Sequence, residues 1–340
     1  MAVSSTDQQQ GSPRVSIVVP SYNAQGYIGR TLDSIIGQTF PRWEVVVFDD
    51  ASSDATADVV ESYAQKDPRI RLVKGDHVGV AEARNGGWAA TDPRSEFGIF
   101  LDNDDLWDPE LLSTLVGMLD ANPDYVSAHC VARSIGSDDT QYPGDDLAER
   151  LRERRGVRGT SIVEVPASVP TTFAEVACGN CILTPGVHLI RRTVLSQVGG
   201  FDPATVPTDD WDMALRVSRF GPIGYSEASL LSWRRHEDAQ SHRTNRWRRG
   251  GRHASQKMLT DPTNTPEQRR IARLVYRTAC MQHLGGVPPL VREGRISVAA
   301  TVFARALFDL SGYLSAEASL AFHRLRGRVR GSRPTTVAPR

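Results

Sequence analysis

Read for its alternation of apolar and polar positions, the first half of the chain is a succession of short apolar runs and amphipathic stretches. Val15–Val19 is a compact β-branched run, the profile of a strand buried on both faces. Ile28, Leu32, Ile35 and Ile36 then recur at i, i+4, i+7 and i+8, which predicts a helix over Tyr27–Gln38. Trp43–Phe48 is a second strand. A helix capped by Ser53 or Asp54 follows to Gln65, with Val59, Val60 and Tyr63 turned inward. Ile70–Val73 reads as a third strand, Val80–Ala90 as a helix and Phe97–Leu101 as a fourth strand. Pro109 opens a helix reaching Leu119, with Asn122-Pro123 as its stop, and Tyr125–Ala132 is a further strand. Strands and helices alternating at this spacing predict right-handed crossovers and an open α/β fold with a mostly parallel central sheet flanked by helices.

The second half is less regular. Residues 134–170 are polar and broken by Gly and Pro, and read as a mobile insertion with a short helix at 145–154. Apolar character returns at Ile182-Leu183 and Val187–Ile190. A helix over Arg192–Val198 follows, stopped by Gly199-Gly200. Thr208 is placed to cap a helix over Asp209–Phe220. Ile223–Tyr225 and Leu230–Trp233 are strand-like, and Arg234–Ser241 is a polar loop. Two helices are expected after the basic segment 243–253, over Pro266–Leu284 and Ile296–Leu325, with a basic, Pro-rich tail from Gly327.

Composition narrows the classes. Formal net charge is zero, so no global field draws the chain to nucleic acid. The four cysteines (Cys130, Cys178, Cys181, Cys280) are too few for a disulfide scaffold at this length. Cys178-Gly-Asn-Cys181 has the spacing of a redox pair or half a zinc site, but no second pair follows. Residues 1–14 lack the apolar core of a signal peptide, and no run of about 18 apolar residues exists, so the expected location is cytoplasmic.

The chemistry gathers where strands end. The fourth strand stops abruptly in Asp102-Asn103-Asp104-Asp105. Side chains alternate along a strand, so Asp102 and Asp104 leave on the same side. Two such carboxylates repel, and a hard cation such as Mg²⁺ or Mn²⁺, sharing oxygens with substrate phosphates, relieves the repulsion. The alternative is an exposed acidic turn. The loops 20–23, 49–50 and 76–79 lie at carboxyl ends too, where open parallel sheets bind ligands, which favours one site.

In series these residues resemble the family 2 glycosyltransferases, inverting enzymes of the GT-A fold. The resemblance runs from Val15 to Ser241. It rests on Val18–Asn23, Val47–Asp54, Gly79 through Ala83-Arg84-Asn85, Leu101–Asp105, and Val198–Asp202 followed by Asp209–Asp212. It implies that Pro20, Tyr22, Asn23 and Asp50 hold the base of a nucleotide-diphosphate sugar, with a UDP- or dTDP-sugar favoured. Tyr22 offers a ring for stacking and Asp50 an acceptor for an imide N–H. It further implies that Arg84 pairs with phosphate, that Asp102 and Asn103 meet the donor, and that Asp102, Asp104 and His236 bind Mn²⁺ or Mg²⁺. Asp210 aligns with the catalytic base, with Asp209 beside it and Asp212 assisting the acceptor. The acids at 209 and 210 also suit a helix N-terminus on electrostatic grounds alone.

The acceptor is expected to be a carbohydrate or lipid-linked hydroxyl. The Gln-x-x-Arg-Trp motif of processive synthases is absent, and Asn245-Arg246-Trp247 only partly echoes it, which argues for transfer of a single sugar. A nucleotidyltransferase would need a Gly-rich basic loop after the first strand, and a dinucleotide oxidoreductase G-x-G-x-x-G. Pro20–Asn23 is neither. A non-catalytic nucleotide-sugar binder is the other alternative, but it has no need of Asp102, Asp104 and Asp210 together. The expected organisation is a disordered tail (1–13), a catalytic domain (14–242, donor half 14–133, acceptor half 134–242), a C-terminal helical extension (243–326) and a disordered tail (327–340). Val298, Val302, Ala306, Leu310 and Leu314, followed by Arg324–Arg330, predict a helix packed on the domain or on a second subunit as a homodimer. The other reading is a basic helix in peripheral contact with the cytoplasmic face of an anionic membrane.

Overall fold

The computed structural model describes residues 11–236, 244–285 and 287–293, together with 300 and 303. The first ten residues, 237–243 within the polar loop, the tail from Gly327 and all but two residues of the helix expected at 296–325 lie outside them. The chain divides into two compact units, Met1–Gly251 and Arg252–Arg340.

In the first unit the β-branched runs pair with one another. β1 (Val15–Ser21) lies between β2 (Trp43–Asp49) and β4 (Phe97–Phe100), parallel to both, and β3 (Ile70–Lys74) extends the parallel set beyond β2. Val15, Ile17, Val18 and Val19 have no exposed surface because helices cover both faces, each contributing roughly 1.5–3 kcal/mol by burial. The eight-stranded sheet has the order β3-β2-β1-β4-β9-β6-β10-β5. β9 (His188–Arg191) runs antiparallel to both β4 and β6 (Ser127–Ile135), so β4 and β6 point the same way. β10 (Ile223–Arg234) is parallel to β6. The carboxyl ends of β1, β2, β4, β6 and β10 therefore share one edge.

The helices α1 (Ile28–Ile36), α2 (Thr56–Ala64), α3 (Val80–Ala89) and α4 (Leu111–Ala121) fall where the periodicity puts them. α3 carries Gly86 and Gly87, which cost about 1 kcal/mol each in a helix. Their reason is close packing. A Cβ on Gly87 would sit 2.5 Å from Val18, and one on Gly86 2.5 Å from the Phe48 ring. Only glycine lets α3 lie this near β1 and β2, and that approach sets the depth of Arg84.

Several expectations are corrected. Residues 134–170 hold the short helix expected there, α5 (Leu147–Arg152), but also an ordered hairpin of β7 (Arg155–Arg158) and β8 (Ser161–Glu164) in place of a mobile insertion. Leu147, Leu151, Arg154 and Val157 are buried there, and the four-residue strands of the hairpin are too short for alternation to register. β5 (Leu106–Trp107) exists only through antiparallel pairing with β10. The two strand-like pieces at 223–233 are one strand, β10, with irregular register between Tyr225 and Leu231. Neither Ser53 nor Asp54 is the N-cap of α2; Ala55 is, while the Asp54 carboxylate accepts from the Thr56 N–H at 3.0 Å. Val59 and Tyr63 are only half-buried. Nor does the Thr208 side chain cap α8 (Asp209–Val217); its hydroxyl donates to the Thr205 carbonyl at 2.9 Å. α6 (Phe173–Cys178) has a full Thr172/Glu175 capping box, and α7 (Arg192–Val198) ends at Gly199, whose φ of 77° suits glycine.

The second unit is described over the end of α9 (Thr244–Thr260), α10 (Pro266–Gly285) and α11 (Val287–Arg292). α10 opens at Thr265 with a reciprocal cap: Thr265 Oγ1 accepts from the Gln268 N–H, and Gln268 Oε1 from the Thr265 N–H. Among the described residues no helix is long and apolar enough to cross a membrane.

Candidate active site

β1 and β2 end in loops that hold each other. The Asn23 N–H donates to Ser52 Oγ at 2.9 Å, and Asn23 Oδ1 accepts from the Ser53 N–H at 2.8 Å. Asn23 takes φ 48°, in the left-handed region that asparagine tolerates. Asp49 accepts from the Ser52 hydroxyl, a bond within its own turn. Asp50 is buried, and its two oxygens accept from the N–H groups of Val78 and Gly79 at 2.7 and 2.8 Å. This carboxylate folds the 76–79 loop over the end of β1, where His77 lies 4.6 Å from the Tyr22 ring, centroid to centroid. Tyr22 remains 47% exposed on a wall of otherwise buried strand ends, an aromatic surface open to a planar ligand. Pro20 is buried beneath it and accepts from Asn103 Nδ2 at 3.2 Å. His77 was not singled out by sequence; only its loop was.

At the end of β4 the acids part company. Asp102 accepts from Arg84 at 2.6 Å, while the other terminal nitrogen of Arg84 donates to Asp209. Arg84 is 4% exposed, so it is a buried bridge between two acids 107 positions apart in the chain rather than an open cation. Burial opposes its charge, but Asp209 and Asp102 hold it above the ordinary arginine value. Asp104 has another partner, its Oδ2 2.9 Å from His236 Nε2, and the His236 ring lies 5.0 Å from that of Tyr27. Asp105 is fully buried and accepts from the Arg234 N–H at 3.0 Å, while Arg234 Nε donates to the Asp104 carbonyl at 2.7 Å. Asp105 and Arg234 thus clamp the acidic turn. Both were missed by sequence, where nothing separates them from neighbouring charges.

Asp102, Asp104 and His236 carry oxygen and nitrogen donors of the kind a hard divalent cation takes. Burial raises the Asp102 carboxyl above the usual range; Arg84 opposes this and the Asp104 charge adds to it, the repulsion a cation removes. Among the described residues no three acid, His or Cys side chains are grouped so as to hold a metal ion by themselves.

Asp209, Asp210 and Asp212 open α8 and are all buried. Asp209 is spent on Arg84 and Asp212 on Arg216, at 2.9 Å. Among the described residues Asp210 has no ion-pair partner. Its Oδ1 accepts from the Trp211 N–H at 2.7 Å and its Oδ2 from Asn180 Nδ2 at 2.9 Å. Behind it is a small cavity walled by Phe100, Ile182, Pro185, Phe201 and Met213, with His188. Burial, then the Asp209 charge, push the Asp210 carboxyl up to about 7, against the pull of Asn180, the Trp211 N–H and Arg84. A carboxyl at that value exchanges protons near neutral pH. Asn180 sits between Cys178 and Cys181. Burial raises those two free thiols to about 11 and about 12, the opposite direction from that of an activated thiolate.

Comparison with known proteins bears on this arrangement. Residues 16–198 match the family described as Glycosyl transferase family 2. The chain is 40% identical over 101 residues to "Putative teichuronic acid biosynthesis glycosyltransferase TuaG" of Bacillus subtilis, covering 29% of this chain and 39% of that protein. It is 39% identical over 106 residues to "UDP-Glc:alpha-D-GlcNAc-diphosphoundecaprenol beta-1,3-glucosyltransferase WfgD" of Escherichia coli, covering 31% and 40%. The match thus spans about two fifths of these relatives' length. Among solved structures, mannosyltransferase PcManGT from Pyrobaculum calidifontis, in complex with GDP-Man and Mn2+, superposes with a TM-score of 0.58 at 20% identity, over 92% of this chain and 88% of that one. TarS from S. aureus, in complex with UDP-GlcNAc, gives 0.56 at 20% identity, over 76% and 70%.

Proposed function

The chain belongs to glycosyl transferase family 2 and has the GT-A fold, and from that premise we propose that it moves a single sugar, with inversion, from a nucleotide-diphosphate sugar to a hydroxyl of a glycan or lipid-linked acceptor. The observation that carries this reading is Asp210: a buried carboxyl without an ion-pair partner among the described residues, pushed up to about 7, beside the Arg84 bridge that reaches Asp102.

In this reading Tyr22 and His77 take the base, with Asp50 holding their loop. The acidic turn clamped by Arg234 presents Asp102 and Asp104 to the diphosphate. Asp102, Asp104 and His236 would hold Mn²⁺ or Mg²⁺, which when bound offsets the charge of the leaving diphosphate. Asp210 removes the acceptor proton as its oxygen attacks the anomeric carbon from the face opposite the diphosphate, which inverts the centre. Asp209 keeps Arg84 in place and keeps the neighbouring carboxyl basic. We assign residues 14–242 to this catalysis and 243–326, helical over Thr244–Thr260, Pro266–Gly285 and Val287–Arg292, to an extension.

The test is a thermal-shift screen of UDP-, dTDP- and GDP-sugars with and without Mn²⁺, followed by product analysis with the donor selected. Expected is stabilisation by one donor that depends on Mn²⁺, and release of nucleoside diphosphate that is lost in Asp210→Asn while donor binding persists. Donor binding with no turnover under any acceptor, unchanged by Asp210→Asn, would leave a nucleotide-sugar binder instead.

A further inference from the structure

Asn180 stands in the turn after α6, and that turn is tied to α8: the Trp211 indole Nε1 donates to the Val176 carbonyl at 2.8 Å. From there its Nδ2 reaches Asp210 Oδ2, while its own Oδ1 is buried and meets no hydrogen-bond partner among the described residues. Buried amides ordinarily satisfy both ends. This one leaves its oxygen unpaired while aiming its N–H at a carboxylate, so the placement serves the carboxylate. With the Trp211 N–H on the other oxygen, the carboxylate is held at two points and cannot rotate freely.

We propose that Asn180 is the positioning residue of the base: it fixes the Asp210 carboxylate so that one lone pair is committed to the amide and another faces the acceptor hydroxyl. This rests on the reading of Asp210 as the base. A neutral amide suits the role because it adds a donor without a charge. Arginine or lysine at the same place would hold the carboxylate as strongly but suppress its basicity.

The charges around the pair leave the amide a distinct effect. Asp209 and Asp212 share the helix, and Arg84 comes from α3. His188 on β9 lines the same cavity and is kept neutral by burial, its value down to about 3. On the elements packed against α8 are Glu175, paired with Arg158, and Arg192, with Asp202 before the turn at Pro203–Thr205. Within this set the Asn180 N–H lowers the Asp210 value, so its removal moves the titration upward.

The experiment is ¹³Cγ NMR of the full chain labelled in aspartate, with the Asp210 signal assigned by its loss in Asp210→Asn. Expected is a midpoint near 7 in the wild type and about one unit higher in Asn180→Ala. The isosteric Asn180→Asp keeps the shape of the turn and brings a second acid, so its midpoint is higher still. Turnover of the donor chosen by thermal shift falls about 10–100-fold in both variants, with donor KM unchanged. An unmoved midpoint in both variants overturns the proposal, whatever the turnover. If Asp210→Asn turns over normally, the base assignment falls on its own, and the NMR midpoints still report whether Asn180 holds the carboxylate.

Discussion

Asp210 keeps its proton to near neutral pH because burial and the Asp209 charge both penalise its ionised form, and two neutral donors only partly compensate. Two consequences of opposite sign follow. A base must be ionised, so kcat should rise with pH through about 7, and Asp210→Asn should lower kcat about 10²–10⁴-fold, measured by release of nucleoside diphosphate. In stability the raised value works the other way. Between the ordinary carboxylate value of 3.8 and about 7 the folded chain binds the proton more tightly than the unfolded chain, so this group loses its stabilising contribution as pH rises through that window. Asp210→Asn should therefore melt above the wild type at about pH 8, with a smaller gap at about pH 5, by calorimetry. Arg84 shows the converse. Its guanidinium neutralises two acids at once, so Arg84→Met leaves buried Asp209 uncompensated and should cost about 3–5 kcal/mol in urea unfolding.

α3 is the element on which the site's geometry turns. Its Gly86-Gly87 pair gives up helix propensity so that the helix can lie against Val18 and Phe48, and Arg84, on the same element, reaches both Asp102 and Asp209 from that depth. Gly87→Ala gains about 1 kcal/mol of propensity but puts a Cβ 2.5 Å from Val18. Overpacking typically costs about 1–3 kcal/mol, so the clash wins and the variant should unfold at lower urea and lose donor affinity as Arg84 is pushed outward. The periodicity of α3 was plain in sequence. Its closeness to the sheet was not, because a glycine pair in a helix reads as a weak helix until the neighbour it accommodates is known.

Across the whole molecule, the candidate site draws on β1, β2, β4, α3, α8 and β10, so donor binding should stabilise the catalytic unit as one piece. With Mn²⁺ and the donor at about 100 times its Kd, the gain is about 2.7 kcal/mol, read as an upward shift of one calorimetric transition. Asp104→Ala should abolish the Mn²⁺ dependence of that shift. A shift that Mn²⁺ does not alter in the wild type would remove the cation from the account.

What the sequence determined by itself is the set of features carried by local pattern. The β-branched runs define the parallel strands, their helical partners follow from spacing, and the acids that close β2 and β4 lie at carboxyl ends because a strand's end is written next to it. Neighbouring residues cannot say which of two adjacent aspartates is spent. The resemblance had singled out Asp210, but only the tertiary structure supplied a physical difference between the two, by bringing Arg84 to Asp209 across 125 positions and Asn180 to Asp210 across 30. It alone also showed that Arg84 is a bridge and that Arg234 clamps the acidic turn. Burial and long-range partners decide the charge state of an acid, and both arise only when distant segments pack.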